Sequence, residues 1–308
     1  MQPEPALDLT GGRPALIDRH PLLGGVGGAM CIAFAGIFVA LAAVSPATAA
    51  AFRCLYALPI LGVLAYREDR AYGPRPLRNR LLAATAGVFF AADLVAWHYA
   101  IEFVGAGLGT VLANLQVVVV AFVAWWLLGE RPDRRIFLAI PILLSGVVLI
   151  SGVVGEGAYG SDPLLGVVFG IATSIAYAGF ILLLRQSSKD LRRPAGPLTD
   201  ATAVAAVASM VAGLLIGDLD MTPGWPAQGW LVLLALTAQV AGWLLIVVSL
   251  PRLPAVVTSM VLVLQPLATL MLGAWILGER PSAAQLAGCG LVLVGVLIGT
   301  AGRRPAEG

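Results

Sequence analysis

Apolar residues fall along this chain in long blocks separated by short stretches rich in proline, glycine, arginine and acidic residues. The blocks cover 22–43, 46–66, 81–102, 105–127, 135–154, 164–184, 199–217, 227–249, 254–277 and 283–301. Each approaches the ~20 residues that a helix needs to cross about 30 Å of hydrocarbon. In lipid, backbone N–H and C=O groups must be satisfied within the segment, so each block reads as a helix. The alternating ten-residue segments of a transmembrane barrel do not occur. The seventh block is short and opens on the polar Thr199, Asp200 and Thr202. The pattern predicts an all-α membrane protein with ten transmembrane helices, flanked by tails at 1–21 and 302–308.

Composition agrees. Hydrophobic residues make up 59% of the 308 and charged residues 12%, with a mean hydropathy of +0.91. Soluble domains carry about twice that charged share, so this chain could not cover a water-facing surface. Cys31, Cys54 and Cys289 lie inside apolar blocks without ligand-like spacing. The first twenty residues include Pro3, Glu4, Pro5, Asp8 and Asp18 and do not read as a cleavable signal; a short disordered tail is expected.

The placement of charge says more than its sum. With the N-terminus on the cytoplasmic side, 17 of the 19 basic residues fall in cytoplasmic regions, among them Arg67, Arg75, Arg80, Arg185, Lys189 and Arg193. Arg280 alone lies in an outer loop, Arg53 sits inside the second block, and the outer loops carry Glu156, Asp162, Asp218 and Asp220. The positive-inside rule then predicts a multi-pass protein of the cytoplasmic membrane with an even helix count and both termini cytoplasmic.

The chain also repeats itself. Leu-Gly-Glu-Arg-Pro at 128–132 returns at 277–281, and at the same offset of 149 Gln116 meets Gln265 and Trp126 meets Trp275. Ile-Ala-Phe-Ala-Gly at 32–36 echoes Ile-Ala-Tyr-Ala-Gly at 175–179. Five helices per unit is an odd number, so the copies at 22–154 and 164–301 are expected to cross the membrane in opposite senses. Such inverted repeats hold substrate near the midplane between the halves of transporters.

These residues resemble the EamA unit of the drug/metabolite transporter superfamily. The first unit shows it from Leu81 to Val153, with Tyr99-Ala100 and Leu-Gly-Glu-Arg-Pro; the second shows it from Leu250-Pro-Arg-Leu-Pro-Ala255 through Gln265-Pro266 to Pro281. Arg53 matches an arginine common early in that unit's second helix. The resemblance implies a ten-helix carrier working by alternating access. Its cavity would be lined by helices three, four, eight and nine with parts of one and six, and amino acids, in one branch aromatic ones, are among its substrates. One departure is that the family proline of the fourth helix is Val117 here, while Pro266 is kept in the ninth; the two halves should bend differently.

Candidate chemistry sits mid-helix. Asp93 lies near the middle of the third block, where a carboxylate costs several kcal/mol unless it faces a cavity or partner; it is a candidate for substrate binding and coupling. Trp97 follows one turn later, and Gln239 with Trp243 repeats that polar-then-tryptophan spacing. His98 is an intramembrane histidine pointing about 100° from Trp97, read as a bundle hydrogen bonder or a ligand. Gln116 and Gln265 suit either substrate binding or helix contacts, and Asn114 lies about 200° round an ideal helix from Gln116, so at most one of those two should face the cavity squarely. Tyr177, Ser174 and Thr258 are weaker candidates. Arg53 could neutralise an anionic group or gate the outer mouth, or could snorkel to the nearby interface. Glu130 and Glu279, each between glycine and Arg-Pro, read as helix-stop turns. Gly24, Gly25, Gly27 and Gly28 suggest close helix packing.

No metal cluster, phosphate loop, Walker sequence or nucleophile elbow occurs in the sequence. No cofactor, no direct use of ATP, no enzymatic activity and no nucleic-acid partner is expected, and the sequence leaves the oligomeric state open. The expectation is a secondary transporter that moves a small amphipathic metabolite across the bilayer, an amino acid first and export the favoured direction. Alternatives are a quaternary-ammonium exporter, or a membrane enzyme or lipid-pathway partner without a transport cycle.

Overall fold

A computed structural model describes residues 20–128, 134–151, 158–188, 190, 192–249 and 255–300. The described residues are helical and contain no strand. Ten elements follow in order: α1 (Pro21–Ala42), α2 (Pro46–Tyr72), α3 (Leu77–Ala113), α4 (Gln116–Leu128), α5 (Arg134–Ile150), α6 (Pro163–Ser187), α7 (Ala195–Ile216), α8 (Ala227–Ser249), α9 (255–277) and α10 (Ala283–Thr300). Six of them (α1, α2, α3, α6, α7 and α8) are long and apolar enough to span a membrane individually, and shorter apolar helices cover Leu264–Leu277 and Ala283–Gly299.

Local chemistry sets several starts. Pro46 and Pro163 occupy first-turn positions, where the missing N–H costs nothing. Ser45 Oγ accepts from the Thr48 amide at 3.3 Å and Asp162 Oδ1 from the Leu165 amide at 3.0 Å. The polar opening of α7 is paired rather than lipid-facing: Asp200 meets Arg75 at 2.9 Å, and Thr199 Oγ1 donates to the Leu61 carbonyl at 3.0 Å. At the same end, the Glu68 carboxylate of α2 accepts from the Ala195 and Gly196 amides at 2.8 and 2.7 Å, closing the start of α7.

The repeat shows in the packing. Helix α3 lies on α6 as α8 lies on α1, and α4 touches α6 as α9 touches α1. Helices α2 and α7 pair with each other, as do α5 and α10. Stepping every helix five places on therefore reproduces these pairs. Where α5 crosses α10, a β-carbon on Gly146 would stand 2.7 Å from the Gly288 carbonyl, and one on Gly288 2.6 Å from that of Gly146. Shifted by 149, that contact becomes Gly295 against Ala139, whose carbonyl lies 3.5 Å from the β-carbon position of Gly295. Backbone approach this close is how small residues pack membrane helices. Gly28 does the same for α1, facing the Gly242 carbonyl on α8 at 3.0 Å.

Two interruptions depart from the pattern read in the sequence. The break expected between the third and fourth blocks, read at 81–102 and 105–127, is present. At Gly105, whose φ of +85° lies in the left-handed region, the chain folds back: the β-carbon position of Gly109 lies 3.2 Å from the Ile101 nitrogen, so Leu77–Ala113 is two helical arms that meet at Gly105. The first departure is a further break inside the fourth block, at Asn114–Leu115, a turn without proline. In α8 the stretch Ala235–Gly242 is π-helical, a form that recurs at functional sites.

Candidate functional site

The turn at Asn114, and Trp243 after the π-helical stretch of α8, border one central cavity. Its polar lining comes from Arg53 of α2, Asp93 of α3, Gln116 of α4, Tyr177 of α6 and Gln265 of α9. Phe90, Trp97 and Trp243 supply aromatic wall, with Ile32 from α1. The space is about 70 Å³, room for a few waters and well below the roughly 300 Å³ at which ligand pockets begin. The helices must therefore move apart to admit an organic substrate.

Arg53 is the pivot of the site. It is 3% exposed, so it does not snorkel to an interface. Its Nε donates to Gln239 Oε1 at 3.0 Å, and Gln239 Nε2 donates to Thr202 Oγ1 at 3.0 Å. The guanidinium also lies over the rings of Trp97 and Phe90, 5.9 and 6.0 Å from their centroids. Asp93 lies within electrostatic reach of Arg53 and Tyr177, yet none of the ion pairs among the described residues joins the carboxyl group to the guanidinium. The cavity thus presents a guanidinium and a carboxyl group side by side, each able to face something placed between them.

The aromatic wall is built of rings packed on one another. Phe90 stacks on Phe180 at 4.3 Å, and Trp243 meets both edge-on at 6.0 and 5.3 Å. The indole Nε1 of Trp243 is buried without an acceptor among the described residues, an unspent donor at the cavity wall. Trp97 on α3 and Gln239 on α8 meet Arg53 from two sides, while Trp243 reaches the same cavity through Phe90.

Two candidates from the sequence stand away from the cavity. Gln239 is fully buried behind Arg53 and supports it rather than lining the space. His98 is turned to the other side of α3, its Nδ1 3.1 Å from the Pro46 carbonyl, and lines a separate pocket with Glu102. That follows from the 100° step between Trp97 and His98. Conversely Asn114, expected to point away from Gln116, shares the cavity with it. The ideal-helix angle fails because the turn at Asn114–Leu115 lies between them. Thr110 also lines the cavity and was not singled out from the sequence; its hydroxyl donates to the Ala106 carbonyl at 2.8 Å. Ser174 bonds the Leu112 carbonyl at 3.1 Å and acts as helix contact. Glu130 and the side chain of Thr258 lie outside the described residues.

Among the described residues, no cluster of histidine, cysteine and acidic side chains is arranged to hold a metal.

Comparison with known proteins places these features in context. The pattern of the EamA-like transporter family matches twice, over residues 21–152 and 164–300. An uncharacterized transporter of Bacillus subtilis (strain 168), YwfM, is 24% identical over 227 residues, 70% of this chain and 74% of its own. A solved crystal structure superposes with a TM-score of 0.61 over 94% of this chain and 99% of its own, at 17% identity, which shows a shared fold.

Proposed function

This chain belongs to the EamA-like transporter family, and from that premise we propose that its central cavity carries a small zwitterion, an amino acid with an apolar or aromatic side chain first among them. It is a multi-pass membrane transporter of the drug/metabolite kind. The observation that supports the finer reading is that Arg53 and Asp93 share one cavity without pairing to each other. A guanidinium and a carboxyl group held apart in a low-dielectric site gain most from a ligand that answers both, a carboxylate toward Arg53 and an ammonium toward Asp93. Phe90, Trp97, Tyr177 and Trp243 then suit an apolar or aromatic remainder, with about 0.5–1.5 kcal/mol per well-placed ring contact.

The rival cargo is a quaternary ammonium, for which Asp93 and the two tryptophans would serve. Arg53 argues against it, since a lone cation would share the cavity with a buried guanidinium. The two matched stretches read as inverted five-helix repeats, at 22–154 and 164–301, rocking about the site. The basic loops carrying Arg75 and Arg193 read as cytoplasmic, in the cytoplasmic membrane, with export as the working direction.

The test is counterflow in vesicles reconstituted with purified protein. Preloaded unlabelled phenylalanine, tryptophan or leucine should drive uptake of the labelled amino acid, and tetraphenylphosphonium should not compete. Competition by the lipophilic cation alone would replace the zwitterion reading with the cation one.

A further inference from the structure

Away from the cavity, on the face opposite the basic loops, the carboxylate of Glu279 is buried and doubly hydrogen-bonded. It follows α9, in the turn where Gly278 adopts φ +69° and the Glu279 amide bonds the Gly273 carbonyl at 3.1 Å. That is a helix-stop of the Schellman kind, as its sequence context predicts. The side chain does something a stop signal does not require. It reaches across to α3, where Oε1 accepts from the Ala106 amide at 2.5 Å and Oε2 from the Gly107 amide at 3.0 Å. These are the first free N–H groups of the helical stretch that restarts after Gly105, where a carboxylate is favoured by both charge and hydrogen bonding.

The seat is shaped for this carboxylate. A β-carbon on Gly105 would come within 2.7 Å of its Oε1 and one on Gly107 within 3.1 Å of its Oε2, while one on Gly273 would collide with Oε2. In the other repeat the positions 149 residues away from these glycines are Pro254, Val256 and Ala124, so the sequence writes this glycine seat once.

Its place gives it a role. Ile101, Ala106 and Glu279 border an open vestibule of about 350 Å³. Trp97, four residues before Ile101 on one arm of α3, and Thr110, four residues after Ala106 on the other, line the central cavity. Four residues rise about 6 Å, so roughly one helical turn separates the vestibule from the cavity, and the Glu279 contact spans that level between α3 and the α9–α10 turn. We infer that the Glu279 carboxylate, seated on the Ala106 and Gly107 amides, is the latch that shuts the central cavity on the face opposite the basic loops, and that the site opens there only when this seat is vacated. The inference rests on reading the central cavity as the transport site, but its test needs no substrate.

Spin labels on Glu102 and Ala283, exposed positions on either side of the seat, report the gap by pulsed dipolar spectroscopy in lipid nanodiscs. Glu279→Gln removes the charge and one acceptor. Gly273→Ala keeps the charge and crowds the carboxylate out. Each should raise the ratio of long to short distances about tenfold, which corresponds to ~1.4 kcal/mol of lost seating. Unchanged distances in folded Gly273→Ala protein overturn the latch, even where the melting temperature falls, because a purely structural cap would act on stability alone. If Glu279→Gln does not fold, Gly273→Ala decides the matter by itself. A failed search for a transported amino acid would leave the distance result standing, and shifted distances would not rescue the amino-acid reading.

Discussion

Arg53 and Gln239 are hydrogen-bonded at 3.0 Å between α2 and the π-helical turn of α8, with Gln239 fully buried and anchored in turn to Thr202. An arginine held by its Nε keeps its terminal nitrogens free for a carboxylate, the planar geometry that suits bidentate recognition. Gln239 is thus a positioning residue. Its amide accepts from one neighbour and donates to the other, an arrangement that neither a carboxylate nor an aliphatic side chain can reproduce.

Gln239→Glu therefore separates positioning from packing. The volume is kept, but a carboxylate against the guanidinium competes with that of the substrate. Affinity for an amino acid should fall by about 1–3 kcal/mol, the usual range for a charged hydrogen bond, while affinity for the corresponding amine without a carboxylate should hold or rise. Scintillation-proximity binding of the two ligands measures the contrast. Equal losses for both would make Gln239 a packing residue.

Asp93 is 6% exposed on a spanning helix and lines the cavity, a placement that in membrane carriers goes with proton or substrate coupling. As the proton carrier, its Asp93→Asn variant should retain counterflow exchange and lose accumulation driven by a pH gradient. Measuring both fluxes on one vesicle preparation checks the split. Gradient-driven accumulation at the wild-type level would remove Asp93 from coupling and point to facilitated transport.

The elements that were legible in the sequence are those with a physical reason to be local. Hydropathy marks helices because lipid imposes one backbone solution, and α1, α2 and α6–α8 lie close to their apolar blocks. The polar candidates were legible for the same reason: a carboxylate, a guanidinium or an amide at mid-span needs a partner, so Asp93, Arg53, Gln116 and Gln265 stand out. What was hidden depends on backbone geometry that composition does not report. Asn114 joins Gln116 because the helix breaks between them, and Gln239 leaves the lining because it is spent on Arg53. Glu279 looks like a helix stop because it is one; its carboxylate's second partner is 172 residues away in the chain, beyond any local motif.

The α5–α10 crossing offers a stability test with an internal control. Alanine at Gly146 places a methyl 2.7 Å from the Gly288 carbonyl, so the helices must part, at about 1–3 kcal/mol for overpacking. Gly290, on the same helix as Gly288, has open space where its β-carbon would go, and alanine there should be neutral or stabilise by up to about 1 kcal/mol through helix propensity. Detergent melting temperatures should move in opposite directions or leave Gly290→Ala unchanged. A larger drop for Gly290→Ala would contradict the crossing described here.

Gln116 and Gln265 join the repeat to the site. They are 149 residues apart at matching places in the two repeats, and both line the central cavity. Two amides offered from opposite halves fit a ligand that touches both repeats, which is what a carrier needs if binding is to report on their relative position. Replacing either with leucine leaves an apolar wall opposite a polar substrate group. Binding should weaken by about 1–3 kcal/mol, the cost of an unsatisfied buried polar group, with little change in melting temperature. As helix contacts alone they would give the opposite result: intact affinity, and a stability loss of about 0.6 kcal/mol each on the scale of interhelical hydrogen bonds in membranes. Affinity and melting measured on the same two variants decide between these outcomes, and intact affinity in both would take the pair out of the site.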